Sequence, residues 1–267
     1  MQELELKIGW LYPTLMSTYG DRGNVITIQR RCQWRDIPVT IIPLDAQTEA
    51  ETFYQVDIIV GGGAQDRQQE IVMRDLQGRK AAAMKEQLSA GIPGVFTCGS
   101  PQLLGHYYEP AFGQRIEGLG LLDLVSKHPG FNAKRCIGNV VFEITASPLA
   151  EEIKAMTGEK PLVIGFENHG GRTYLQTVSP LGKVITGYGN NGEDGYEGAF
   201  YHNAIATYAH GPLLPKNPFL ADWLIKKALE QKYQQAIFLT KLDDSLALKA
   251  RFAMFERLEL TGVTNKA

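Results

Sequence analysis

The chain has 267 residues, 44% hydrophobic and 21% charged, with a formal net charge of −2. This is the makeup of a globule able to bury a substantial core, and that charge offers nucleic acid or an anionic membrane surface no particular attraction. No apolar stretch approaches the roughly 20 residues needed to cross a bilayer, and the N-terminus lacks a basic segment followed by an apolar run. The three cysteines, Cys32, Cys98 and Cys136, are too widely spaced for a disulfide framework or a zinc site. The expectation is a cytoplasmic protein without membrane insertion, nucleic-acid partner, metal or cofactor.

In chain order, Leu6 to Tyr12 is predicted as a strand, followed by a glycine-bearing loop and a helix from about Asn24 to Trp34. Val39 to Ile42 and Val56 to Val60 are further strands, the latter ending in Gly61-Gly62-Gly63. One long helix is expected from about Gln68 to Ala90, then a short buried strand, Val95 to Thr97. Strands alternating with helices argue an α/β fold: a doubly wound, mostly parallel sheet with helices on both faces and ligands at the carboxyl ends of the strands. The second half reads as strand-rich, with strands at Asn139 to Ile144, Leu162 to Phe166, Lys183 to Tyr188 and Ala199 to Tyr208. Phe219 to Gln231 has helical periodicity and Leu242 to Leu258 reads as a last helix. The expected organisation is a main domain over 1–230 and a helical extension over 231–267.

Cys98 follows its strand directly, and Pro101-Gln102-Leu103-Leu104 opens a helix after it. A thiol on such a corner sits at a helix N-terminus, where the dipole favours thiolate, the cysteine form of a nucleophile elbow. The same corner also suits a buried structural cysteine, and the corner alone leaves both open. A thiolate nucleophile needs a base, and the chain has five histidines. His210 closes a strand-like run just before Gly211-Pro212, at a carboxyl end, which makes it the best partner for Cys98. His202 reads as buried in a strand, His106 and His128 as solvated, and His169 as either structural or functional.

Thr97-Cys98-Gly99-Ser100-Pro101-Gln102-Leu103-Leu104-Gly105 resembles the elbow of class I glutamine amidotransferases, more narrowly their cobyric-acid-synthase-like branch. Five further segments resemble the glutaminase subunits of lipid II amidating synthases within that branch. They are Tyr19 to Asn24, Arg135 to Asn139, Gly165 to Arg172, Gly187 to Gly192 and His210 to Pro218. The resemblance implies that Cys98 attacks the side-chain amide of L-glutamine, with His210 passing the proton to departing ammonia and a glutamyl thioester then hydrolysing. It also implies an oxyanion site from the amides of Gly99 and of Gly62 or Gly63, the glycines allowing close approach, often at positive φ. Arg135 is implied to hold the α-carboxylate of glutamine, and Gln102, one turn beyond Cys98, to contact the substrate.

The sequence departs from the family pattern in several places. Ser100-Pro101 replaces the commoner Gly-aromatic pair, and Gly63-Ala64-Gln65-Asp66-Arg67 is shifted by one residue. Pro212 stands where many relatives carry a carboxylate two residues after the histidine, so no acid in cis is evident to orient His210. The resemblance suggests that a synthetase partner supplies it, with Glu167 the first candidate within the chain. No G-x-x-x-x-G-K-[ST] loop is present, so a separate ATP-using ligase is expected, and the resemblance implies that it is a Mur-ligase-like subunit forming a heterodimer with this chain. The alternatives are another cysteine hydrolase of this fold, such as a peptidase or γ-glutamyl hydrolase, a cobyric-acid-type amidotransferase subunit with a different acceptor, and a binding module with a degenerate site.

Overall fold

In the computed structural model, which describes residues 3–130, 132–260 and 262, the chain begins by alternating strand and helix. The order is β1 (Leu6–Leu11), α1 (Arg22–Gln33), β2 (Val39–Leu44), β3 (Ile58–Gly61), α2 (Asp66–Asp75), α3 (Gly78–Ser89), β4 (Gly94–Thr97) and α4 (Gly99–Leu104). Short strands β5 (Tyr107–Glu109), β6 (Ile116–Glu117) and β7 (Leu124–Lys127) lead to the long β8 (Cys136–Ile144) and α5 (Leu149–Thr157). Then come β9 (Leu162–His169), β10 (Arg172–Leu175), β11 (Gly182–Thr186), β12 (Tyr196–Glu197), β13 (Ala199–Tyr201) and β14 (Ala204–Thr207). Helices α6 (Leu213–Lys216), α7 (Pro218–Tyr233) and α8 (Ser245–Arg257) complete the chain.

The main sheet has six strands in the order β13-β14-β4-β3-β1-β2. All its pairings are parallel except that of β13, an antiparallel edge. Side chains alternate faces along each strand, so apolar runs bury both sides. Ile58, Val60, Val95 and Ile205 pack with Val25 and Ile28 of α1 and with Trp223 and Leu224 of α7. Ile59, Phe96 and Ala206 pack with Val72 and Met73 of α2 and with Met84 and Leu88 of α3. Burying each large apolar side chain contributes about 1.5–3 kcal/mol, and this two-sided cover fixes the rim where the strands end.

Four features differ from the sequence expectation. The helix expected over Gln68 to Ala90 is two helices, broken where Gly78 adopts φ +55°, while Leu76 turns into the core. The strand expected over Ala199 to Tyr208 is the hairpin β13–β14, turning at His202, whose φ is +52°. His202 is therefore exposed at a turn, not buried in a strand. The strands of the second half mostly form two separate four-stranded sheets, β10-β7-β5-β6 and β12-β11-β8-β9, beside the parallel sheet.

The last helix lies on the outer face of β8 and β9, with Phe255 against Val141, Leu162 and Ile164. Arg31 of α1 fastens the segment before it, donating to Asp222 at 2.7 Å and to Asp244 at 2.6 Å. Among the described residues, no helix is long and apolar enough to cross a membrane.

Candidate active site

The carboxyl ends of β1, β3, β4 and β14 bring four loops together. Cys98 sits between β4 and α4 at φ 56° and ψ −101°, a left-handed conformation that costs a non-glycine residue energy unless its surroundings hold it. Its amide donates to Thr207 O at 2.8 Å, which pins the corner to the end of β14. Two glycines make room for it. A Cβ on Gly63 would lie 3.1 Å from the Cys98 Cβ, and one on Gly99 only 2.9 Å from the Ala64 nitrogen. The need for glycine here is close approach, since neither residue has a positive φ.

His210 is fully buried three residues beyond β14. Its backbone pairs with Phe166 of β9, donating at 3.0 Å and accepting at 2.9 Å. Neither ring nitrogen has a hydrogen-bond partner among the described residues. Tyr19, itself at φ +58°, meets the ring edge-on at 4.7 Å and remains half-exposed.

Sequence reasoning missed Asp21, in the loop after β1. Its Oδ2 accepts the Gly63 amide at 2.7 Å, and its Oδ1 lies 3.8 Å from His210 Nδ1 with no hydrogen bond of its own. A carboxylate in cis therefore does approach His210. The signal was present: Asp21 stands between two glycines past the carboxyl end of a parallel strand, on the same rim as Cys98. The motif containing it is locked to the histidine's loop. Asn24 Oδ1 accepts the Leu214 amide at 2.9 Å, and a Cβ on Gly23 would strike Pro212 at 2.5 Å.

Burial sets the charges. Cys98 as a residue is half-buried, and the protein packed around its thiol, with the nearby Asp21, pushes it up to about 12, against the Gly99 amide and Arg135. The helix dipole expected to favour thiolate is outweighed, α4 being only six residues long. Burial, with His169 and Lys216 nearby, brings His210 down to about 4. Burial also raises Asp21 to about 6, opposed by the Gly63 amide and the Thr97 hydroxyl. At neutral pH the arrangement is a neutral thiol, a neutral imidazole and a largely ionised carboxylate.

Residues 7–218 match the CobB/CobQ-like glutamine amidotransferase domain. The chain belongs to that family. It is 38% identical over 228 residues, covering 85% of this chain and 86% of the relative, to the lipid II isoglutaminyl synthase (glutamine-hydrolyzing) subunit GatD of Staphylococcus aureus (strain N315). The GatD subunit of Streptococcus pneumoniae (strain ATCC BAA-255 / R6) is 35% identical over 245 residues, covering 91% of this chain and 88% of the relative. Among solved structures, the glutaminase domain of Trypanosoma brucei CTPS shares the fold, with TM-score 0.55 at 13% identity over 88% of this chain and 96% of that one.

In this amidotransferase Arg135 precedes β8 on an exposed edge. Its Nε and Nη2 donate to Asn168 Oδ1 at 3.1 and 3.0 Å, and Nη2 also to Asn168 O at 3.1 Å. Its charge acts on the Cys98 thiol, so it stands within electrostatic reach of the corner. Gln102 is buried instead of facing the rim. Its Nε2 donates to Tyr208 OH at 3.0 Å and its Oε1 accepts from Gln69 at 2.8 Å. Gly63 spends its amide on Asp21 in this conformation, leaving the neighbouring Ala64 amide beside Gly99. His169 is buried and stacked on Tyr208 at 3.7 Å, with Nδ1 donating to Gly171 O at 2.7 Å. Glu167 lies near His169, not His210: its Oε2 is 3.5 Å from His169 Nε2. His106 is exposed and paired with Asp123, and His128 is half-buried, accepting the Gly130 amide at 3.1 Å.

Proposed function

We propose that this chain is the glutamine-hydrolysing subunit of a lipid II isoglutaminyl synthase, working in the cytoplasm beside an ATP-using, Mur-ligase-like partner. The observation that carries the reading is the left-handed Cys98 corner on the rim where His210 is buried and unpartnered, Gly63 packing against Cys98 and bonding Asp21, whose other oxygen is 3.8 Å from His210, in a chain that follows GatD subunits along most of its length. Cys98 transfers its proton to His210 as its sulfur attacks the amide carbon of glutamine. His210 then protonates the departing ammonia, and water hydrolyses the glutamyl thioester. The Gly99 amide stabilises the oxyanion, with Ala64 better placed than Gly63 as second donor because Gly63 is engaged by Asp21. Arg135 receives the α-carboxylate of glutamine. A glutaminase acting alone wastes glutamine, so its ammonia goes to the partner, which activates the stem-peptide glutamate of lipid II with ATP.

The test supplies glutamine labelled with ¹⁵N at the side-chain amide, together with ATP, lipid II and the ligase subunit from the same cell. The label should appear in the lipid II amide, and Cys98→Ser should abolish its transfer. Transfer by the Cys98→Ser variant, or ammonia release with no label in lipid II under any ligase concentration, rejects the reading.

A further inference from the structure

The last helix holds a charge that glutamine hydrolysis leaves unused. Arg251 of α8 lies beyond residues 7–218, the span that matches the amidotransferase domain. It donates to Asn217 Oδ1 at 2.6 Å and to the Leu162 carbonyl, and its guanidinium stands 5.4 and 4.9 Å from the ring centres of Phe219 and Phe255. None of these partners is a carboxylate, and burial brings the guanidinium down to about 10. A cation drawn from water with no acid beside it is costly, so its donors have a task that an apolar side chain could not perform.

That task lies on β9, the outer strand of its sheet, where every second residue turns its peptide N–H and C=O to the open edge. The groups on that edge follow one another along the strand. Leu162 O accepts from Arg251, and Ile164 exchanges two bonds with the Asn217 side chain, at 3.0 and 2.8 Å. Phe166 exchanges two with the His210 backbone, and Asn168 O accepts from Arg135 at 3.1 Å. The base and the arginine assigned to the α-carboxylate thus hang from alternate residues of one strand edge, and Arg251 secures its far end.

We propose that Arg251 is a positioning residue for glutamine hydrolysis, fixing through Asn217 the loop that carries His210; this rests on the reading of His210 as the base. Asn217 Oδ1 takes both the Ile164 amide and Arg251, which commits Nδ2 to Ile164 O and Leu213 O, each at 2.8 Å. Arg251 thereby sets which way this amide faces. Turned over, Asn217 would set its nitrogen against the Ile164 N–H, and Leu213 O would lose its donor. Leu213 is three residues past His210, so the loop between them is tied to β9 at both ends, across Gly211 at φ +87°. With a glycine hinge inside the loop, one fastening alone leaves the imidazole free to shift. A displacement of about 1 Å at a reacting group can lower a rate about 100-fold. Arg135 hangs from Asn168 at the other end of the strand, so glutamine binding is spared.

The test measures ammonia release from glutamine by Arg251→Met, Arg251→Lys and Asn217→Ala in the full chain, below the melting temperature of each, together with hydrogen exchange at the His210 amide. Methionine keeps an unbranched stem against the two rings and removes the donors. Arg251→Met should lower kcat about tenfold or more, leave KM within about threefold, and speed exchange at the His210 amide. Arg251→Lys, which keeps a charged donor, should lose only about threefold in kcat. Adding Arg251→Met to Asn217→Ala should lower kcat no further, because both act on one fastening. A purely structural arginine lowers the melting temperature and leaves kcat and His210 exchange at parental values. That result overturns the proposal, as do effects of the two substitutions that multiply in the double variant. If Arg251→Met does not fold, Arg251→Lys carries the test, and parental kcat beside a lowered melting temperature overturns the proposal there too. An inactive His210→Ala chain beside a fully active Arg251→Met chain rejects the role of Arg251 alone, whereas parental activity in His210→Ala rejects the reading of His210 on which it rests.

Discussion

Among the described residues two buried carboxylates approach histidines, and they differ in what they have left to give. Glu167, in the middle of β9, accepts the Tyr188 amide at 2.6 Å on one oxygen and the Gly189 amide at 3.0 Å on the other. It clamps the loop after β11, which passes so close that a Cβ on Gly187 would lie 2.7 Å from Oε1. Asp21, equally buried, accepts one backbone amide and presents its other oxygen to a ring that is itself unpartnered. Carboxylates with both oxygens occupied hold a fold together. One with an oxygen in reserve keeps an accepting site open, and in Asp21 that site faces His210.

The comparison is broken most severely at the thiol on which the Asp21 side acts. Cys98→Ser should reduce ammonia release about 1,000-fold or more with an unchanged melting temperature, because a hydroxyl gives up its proton far less readily; near-parental release by a folded variant would end the assignment. On the other side, Glu167→Ala should strike the fold instead of the chemistry. Losing bonds worth about 1.5–3 kcal/mol each to a charged acceptor should lower the melting temperature by about 5–10 °C, and a calorimetric scan would show it. An unchanged transition with a collapsed kcat would reverse the roles of the two acids.

Arg135→Ala should raise KM for glutamine about tenfold or more with kcat little changed, as expected for a bidentate carboxylate contact. An unchanged KM would shift the role to Arg172, whose Nη2 donates to Lys134 O at 2.6 Å nearby. The acid limb of kcat should fall as pH drops through about 6, where Asp21 takes up a proton and its charge beside His210 is lost. The groups that set this limb are the Gly63 amide and Thr97 hydroxyl on Asp21, with His169 and Lys216 beside His210, which itself titrates lower, near 4. A limb centred well below 6 would show that Asp21 does not gate turnover. The smallest effects belong to the other thiols. Cys32 and Cys136 are fully buried, their thiols pushed up to about 12 and about 11 chiefly by burial, so Cys32→Ala and Cys136→Ala should leave kcat within about twofold.

The parallel core was legible because its information is local. A short apolar run, a corner residue and a following helix name a strand end, and Cys98 stands at one. The histidine was legible for the same reason, although the strand before it is half of a hairpin. What escaped depends on which loops meet. Asp21 and His210 are far apart in sequence, and only the docking of α1 against α6, through Asn24 and Gly23, brings them face to face. Gln102 sits one turn from Cys98, as its spacing implies, but a turn of so short a helix points into the core, where Gln69 and Tyr208 absorb the amide. The two separate sheets of the second half, one antiparallel and one mixed, were invisible to periodicity, which reports strands without their neighbours.

Cys98 is bonded through its amide to β14 of the parallel sheet, whereas His210 is bonded on both sides of its peptide to β9 of an antiparallel sheet. Cys98 and His210 thus stand on either side of a seam between the two sheets. Their relative placement therefore depends on how the two sheets pack together, and not on the ladder within either one. The sheet that holds His210 is backed on its far side by α8, whose Phe255 packs on β8 and β9, so the last helix braces the histidine's side of the seam and not the thiol's.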